Sequence, residues 1–101
     1  MRKIVDGKLY DTEIAKLITG WNKGEGYFYI SECLYRTRKG TFFLECYGGA
    51  CTKYKESVIN NGWTDGSLLK VLSEEETIDW LMENNEIDVL EELFPGVLQE
   101  G

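Results

Sequence analysis

The stretch Tyr27–Tyr47, YFYISECLYRTRKGTFFLECY, limits the fold more than any other part of the chain. Two runs rich in aromatic and β-branched side chains, YFYISECLYRT and TFFLECY, flank Arg38-Lys39-Gly40. That is a three-residue connection with glycine where the backbone must turn left-handed, so the two runs read as an antiparallel hairpin. Alternation places Tyr27, Tyr29, Ser31, Cys33 and Tyr35 on one face of the first run, and Phe28, Ile30 and Leu34 on the other. Both faces are rather apolar, so both need a cover. A helix suits one, and the N-terminal segment suits the other. With 101 residues there is room for one such domain, because a smaller piece would bury too little apolar surface.

The remaining elements follow from turn and cap chemistry. Asp6-Gly7 between Lys3-Ile4-Val5 and Lys8-Leu9-Tyr10 predicts a second hairpin with a type I′ turn. Thr12–Trp21 is ambiguous: Ile14, Leu17, Ile18 and Trp21 have helical spacing, yet Thr19-Gly20-Trp21 is poor helix chemistry. Asn22–Gly26 reads as a loop, Gly48-Gly49 as a flexible turn, Asn60–Ser67 as a polar loop and Leu68–Leu72 as a short strand. Ser73-x-x-Glu76 is a capping box, and Glu74 and Glu75 sit where a helix dipole favours negative charge. One apolar stripe, Ile78, Leu81 and Met82, precedes Asn84-Asn85. A second, Ile87, Leu90, Leu93 and Phe94, precedes the stop at Pro95-Gly96. The expected class is α+β: a small, hairpin-rich antiparallel β-sheet with the C-terminal helical segment packed on one face. It is expected as one domain over 1–101, mostly strand and loop through 72 and helical and acidic over 73–94.

Several function classes are disfavoured. The chain has no His, which removes the usual general base and the Ser-His and Cys-His nucleophile pairs. Its glycine-rich stretches match neither G-x-x-x-x-G-K-[ST] nor G-x-G-x-x-G, so no phosphate-binding loop is expected and no cofactor is implied. The odd set Cys33, Cys46 and Cys51 has no C-x-x-C pair. These read as thiols, mostly buried, in a cytoplasmic protein, with no metal site. No run is long and apolar enough for a membrane span, and MRKIVDGKLY lacks the apolar core of a signal peptide.

Charge is the main pointer to a partner. Residues 1–55 carry ten Lys/Arg and six Asp/Glu, whereas residues 56–101 carry one Lys and twelve Asp/Glu. Ser73–Phe94, SEEETIDWLMENNEIDVLEELF, holds nine carboxylates and no Lys or Arg. Surface helices commonly intersperse Lys for i,i+4 pairing, and a one-signed surface repels itself. Two accounts remain open: a solvated face kept acidic for solubility, or a surface steered toward a positively charged partner. On the second account, Glu74, Glu75, Asp79, Glu83, Glu86 and Glu91 engage Lys/Arg in a nucleic-acid-binding groove. Tyr35 stands beside the basic hairpin tip as a further contact. That tip, Arg36, Arg38 and Lys39, offers phosphate or acidic-surface contact, although a solvated turn explains it too. A net charge of −7 disfavours direct nucleic-acid binding. A different class is a homodimeric or adaptor module built on the aromatic sheet face of Tyr27, Tyr29 and Tyr35.

Three pieces in order, KIVDGKLYDTEIAKLITGW, LYRTRKGTFFLECYGGACTKY and LSEEETIDWL with IDVLEELFP, span nearly the whole chain. In them the chain resembles a family of small acidic proteins carried on phages, plasmids and other mobile elements of Gram-positive bacteria. Proteins of this size and acidity on such elements include anti-CRISPR proteins. The resemblance therefore implies a non-enzymatic, stoichiometric inhibitor that binds a CRISPR effector and blocks its access to nucleic acid. It supplies no site residues, and Cys51 stands where the family usually carries another residue.

Overall fold

A computed structural model describes residues 1–60 and 62–101. The chain divides into two compact units, Met1–Val71 and Leu72–Gly101. The first is built from antiparallel strands and the second from two helices, so the class is α+β.

In the first unit, β1 (Arg2–Val5) and β2 (Lys8–Asp11) form a hairpin in which Val5 pairs with Lys8. Asp6 and Gly7 have φ of 51° and 74°. Both turn positions are therefore left-handed, as a type I′ turn requires. Next come β3 (Lys16–Lys23), β4 (Ile30–Arg36) and β5 (Phe42–Gly48). A small hairpin of β6 (Glu56–Val58) and β7 (Gly62–Thr64) follows, and then β8 (Gly66–Leu72). The main sheet runs β3-β4-β5-β8.

The central β4–β5 hairpin follows the sequence reading, with its turn closed by Thr37 and Thr41. Thr37 N–H donates to the Thr41 carbonyl (2.8 Å), Gly40 N–H to the Thr37 carbonyl (2.9 Å), and Thr41 N–H to Thr37 Oγ1 (3.1 Å). Gly40 takes φ +90°, the left-handed step that a side chain would strain.

Two expectations are corrected here. Tyr27 and Phe28 lie in a 3-10 turn (Gly26–Phe28), not on the strand, and both are largely exposed. The expected loop at Asn22–Gly26 begins two residues late, because Asn22 and Lys23 still pair with Ser31 and Ile30. The ambiguous Thr12–Trp21 segment resolves as a turn followed by β3. Its register slips between Leu17 and Thr19, a bulge at Ile18. The bulge interrupts the two-residue alternation, so the apolar side chains mimic a helical stripe.

One sheet face carries Tyr35, Phe43, Leu69 and Val71. The N-terminal segment covers it with Val5, Tyr10 and Ala15, as its apolar character requires. Tyr10 meets Phe43 edge-on at 5.5 Å, and Tyr35 stacks on Phe43 at 5.3 Å and 13°. Phe43 is fully buried, a burial that stabilises by roughly 1.5–3 kcal/mol. On the opposite face Ile30, Leu34, Leu44 and Cys46 are buried as well.

In the second unit, α1 spans Glu74–Glu83 and α2 spans Ile87–Leu93. The capping box is formed: Glu76 N–H donates to Ser73 Oγ (3.1 Å) and Ser73 N–H to Glu76 Oε1 (3.0 Å). At the other end Asn85 takes φ +55°. Glu86 N–H donates to the Leu81 carbonyl (2.9 Å) and Asn85 N–H to the Met82 carbonyl (3.1 Å). This is the Schellman arrangement, with Asn in the place glycine usually holds. The buried stripe of α1 is Thr77, Trp80 and Leu81, while Ile78 is half-buried and Met82 exposed. The expected stripe is therefore rotated toward Trp80. In α2 the buried residue is Leu90, with Leu93 and Phe94 half-buried and Ile87 exposed.

Candidate functional site

The unit boundary is also a charge boundary. Met1–Val71 contains all eleven Lys/Arg together with eight Asp/Glu; Leu72–Gly101 contains ten Asp/Glu and no Lys or Arg. No carboxylate of the helical unit has a cation of its own unit to pair with.

The helical period fixes where these charges go. Thr77, Trp80 and Leu81 turn one side of α1 inward. Glu75, Asp79 and Glu83, four residues apart, then form a ridge on the opposite side, one carboxylate for each rise of about 6 Å. All three are exposed, and none is in an ion pair among the described residues. Glu74 is exposed in the first turn, whereas Glu76 is engaged in the capping box. On α2, Asp88, Glu91 and Glu92 are exposed.

Folding explains only part of this. Glu74, Glu75 and Glu76 complement the dipole at the start of α1. Glu83 lies at its C-terminal end, where negative charge is unfavourable and no basic residue balances it. The pairs Glu75–Asp79, Asp79–Glu83 and Asp88–Glu92 each cost about 0.2–0.5 kcal/mol as like charges at i,i+4.

The expected site residues separate into groups. Glu75, Asp79 and Glu83 share the α1 ridge; Glu74 stands one turn before Ile78 at its edge, and Glu91 belongs to α2. Glu86 is half-buried at the start of α2, donating its N–H to the Leu81 carbonyl, and is less displayed than the others. Tyr35 is half-buried and stacked on Phe43 against the core, so one face of its ring is already covered. Burial, followed by the nearby Glu45 and Cys33, pushes its phenol pKa up. Asp88 and Glu92 extend the acidic surface and were not singled out from sequence, although their i,i+4 spacing carries the signal.

The aromatic platform of Tyr27, Tyr29 and Tyr35 is not formed. Tyr27 projects from the 3-10 turn, Tyr29 leans on Tyr47 at 6.0 Å, and Tyr35 is half-buried against Phe43. The basic tip also divides. Arg36 lies over the Phe42 ring at 4.9 Å, while Arg38 and Lys39 extend from the turn.

A polar cluster on the other sheet face has no counterpart in the sequence reading. Glu32 is buried on β4; the Tyr54 hydroxyl donates to its Oε2, and Lys53 Nζ lies 3.3 Å from the same oxygen. Burial pushes the Tyr54 phenol up, and its hydrogen bonds with Cys46 and Glu32 push it further. Burial also raises the Cys46 thiol, against the lowering effect of the Tyr54 bond. These groups satisfy one another and hold Tyr54 and Cys46 in their neutral forms, which suits a structural role. Cys33 is half-buried and Cys51 exposed, and all three cysteines are free.

Among the described residues, no group of three or more Cys, Asp or Glu side chains is placed to hold a metal ion. Among the described residues, no helix is long and apolar enough to cross a membrane. Comparisons with protein-family models, curated proteins and solved structures found no match to this chain.

Proposed function

We propose that this protein is a non-enzymatic, stoichiometric inhibitor whose acidic helical unit occupies the basic nucleic-acid-binding groove of a partner. The partner class we favour is a CRISPR effector, and the protein then acts as an anti-CRISPR in the cytoplasm of a bacterial host. The observation that carries the reading is the exposed ridge Glu75, Asp79 and Glu83 in a unit without a single cation. It is retained although its like-charge pairs and the C-terminal placement of Glu83 weaken the helix. A solubility role needs net charge only, and interspersed Lys would meet it at lower cost to the helix. A groove that binds phosphates presents Lys and Arg at close spacing, and a rigid row of carboxylates meets them with complementary potential.

The test is a DNA-binding titration of the host's purified effector complex with the wild-type protein and with a variant carrying Glu74→Lys, Glu75→Lys, Asp79→Lys and Glu83→Lys. All four positions are exposed, so the variant is expected to keep its circular dichroism spectrum. Wild-type protein should abolish DNA binding at one equivalent and the variant should not. Inhibition by the variant at the same stoichiometry would refute the acidic ridge as the contact.

A further inference from the structure

The strand unit contains a cleft of about 460 Å³, the size of small-ligand sites. It lies where the β1–β2 turn, the turn after β2 and the tip of the β4–β5 hairpin converge. Its apolar lining comes from Leu9, Tyr10, Ile14 and Ala15. Leu9 and Ile14 each leave about half of their surface in water. Its cations are Lys8, Arg38 and Lys39, all exposed and in no ion pair among the described residues.

The single carboxylate of the lining is already engaged. Asp11 is buried, lies 3.2 Å from Arg2 Nε through Oδ2, and accepts the Glu13 N–H at Oδ1 (2.9 Å). It therefore leaves the three cations uncompensated. Thr37 Oγ1 accepts the Thr41 N–H, so its own hydroxyl proton is available as a donor at the same wall.

We propose that this cleft binds a small organic phosphate with an aromatic or apolar body, of mononucleotide size. The phosphate sits against Arg38, Lys39 and Lys8, where the guanidinium offers a two-pronged donor and the ammonium groups add point charge. The body covers Leu9 and Ile14 against the buried Tyr10 wall. Both hairpins that carry the cleft have turns fixed by left-handed residues, so the site is formed before the ligand arrives. From sequence alone Arg38 and Lys39 belong to a basic tip that reads either as a phosphate or acidic-surface contact or as a solvated turn. The difference lies in Leu9 and Ile14, which only folding brings beside them. This site is independent of the acidic ridge, and neither proposal requires the other.

The test is a ¹⁵N–¹H titration of the full chain with AMP, UMP and phenyl phosphate, alongside adenosine and inorganic phosphate as half-ligands. At least one organic phosphate should shift the amides of Lys8, Leu9, Ile14 and Thr37–Thr41 saturably, with each half-ligand at least about tenfold weaker. The double variant Arg38→Ala, Lys39→Ala should lose about tenfold or more in affinity while leaving the other resonances in place. Inorganic phosphate binding as tightly as the organic phosphates would reduce the cleft to a charged patch and overturn the proposal. So would binding that survives the double variant. Silence of all three organic phosphates at millimolar concentration would also overturn it, as would a glutamate-rich peptide occupying these residues where they fail.

Discussion

The strand unit and the helical unit solve the same problem, burying apolar side chains in a short chain, with opposite treatment of charge. In Met1–Val71 both signs occur, and individual carboxylates are matched to cations by the fold, as in Arg2–Asp11 and Lys53–Glu32. In Leu72–Gly101 there is one sign only. There the carboxylates that help folding are those at the helix start, with Glu76 closing the capping box. Asp88 likewise suits the first turn of α2, but Asp79, Glu83 and Glu92 help neither helix. Charges that a fold does not need, kept where they weaken it, point to a partner rather than to stability.

The contrast breaks first in the cores. Phe43→Ala in the sheet core should cost about 3–5 kcal/mol and Leu90→Ala in the helical unit about 2–5 kcal/mol, read by urea unfolding. Both losses should be insensitive to salt, because both units rest on apolar burial. A strong salt dependence of the Leu90 effect would mean that charge governs the packing of the helical unit as well.

Alkaline pH should act on the strand unit. The phenol of Tyr54 and the thiol of Cys46 have pKa values raised by burial, so their neutral forms stabilise the fold. That stability is fully present below the ordinary thiol and phenol values, about 8.5 and about 10. It declines as pH rises beyond them, since the unfolded chain loses these protons first. The melting temperature should fall above that range, and fall less in Tyr54→Phe. An equal fall in both proteins would remove Tyr54 from the account.

Smaller effects sharpen the contrast. Ser73→Ala removes one half of the capping box and should cost about 1 kcal/mol. Asp79→Lys turns two repulsions, with Glu75 and Glu83, into two attractions. It should stabilise α1 by roughly 1 kcal/mol at low salt, a gain that shrinks as salt screens the ridge. Arg38→Ala, exposed on the strand unit, should change stability by less than about 0.5 kcal/mol.

Much of this architecture is legible in the sequence where one local rule suffices. Asp6-Gly7 and Arg38-Lys39-Gly40 specify their hairpins because left-handed turn positions leave few alternatives. Ser73-x-x-Glu76 specifies the start of α1 for a similar reason. The strand at Lys16–Lys23 is not legible, since the bulge at Ile18 scrambles the alternation that would reveal it. Tyr27 and Phe28 have strand composition, but Gly26, with φ +58°, opens a 3-10 turn there instead. The burial of Glu32 is not legible either, since only Lys53 and Tyr54, more than twenty residues later, make it tolerable. The one-signed charge of 73–94 is legible in the sequence, whereas the ridge of Glu75, Asp79 and Glu83 follows once the buried side of α1 is known. The cleft is not, because its walls come from segments far apart in the chain.

The most direct test is a pull-down from nuclease-treated host lysate, at low and high salt, with wild-type protein beside the four-fold Glu74, Glu75, Asp79 and Glu83 to Lys variant. The account predicts that wild-type protein retains a basic nucleic-acid-binding complex at low salt, releases it at high salt, and that the variant retains none. Equal retention of that complex by the variant, or retention unaffected by salt, would contradict it.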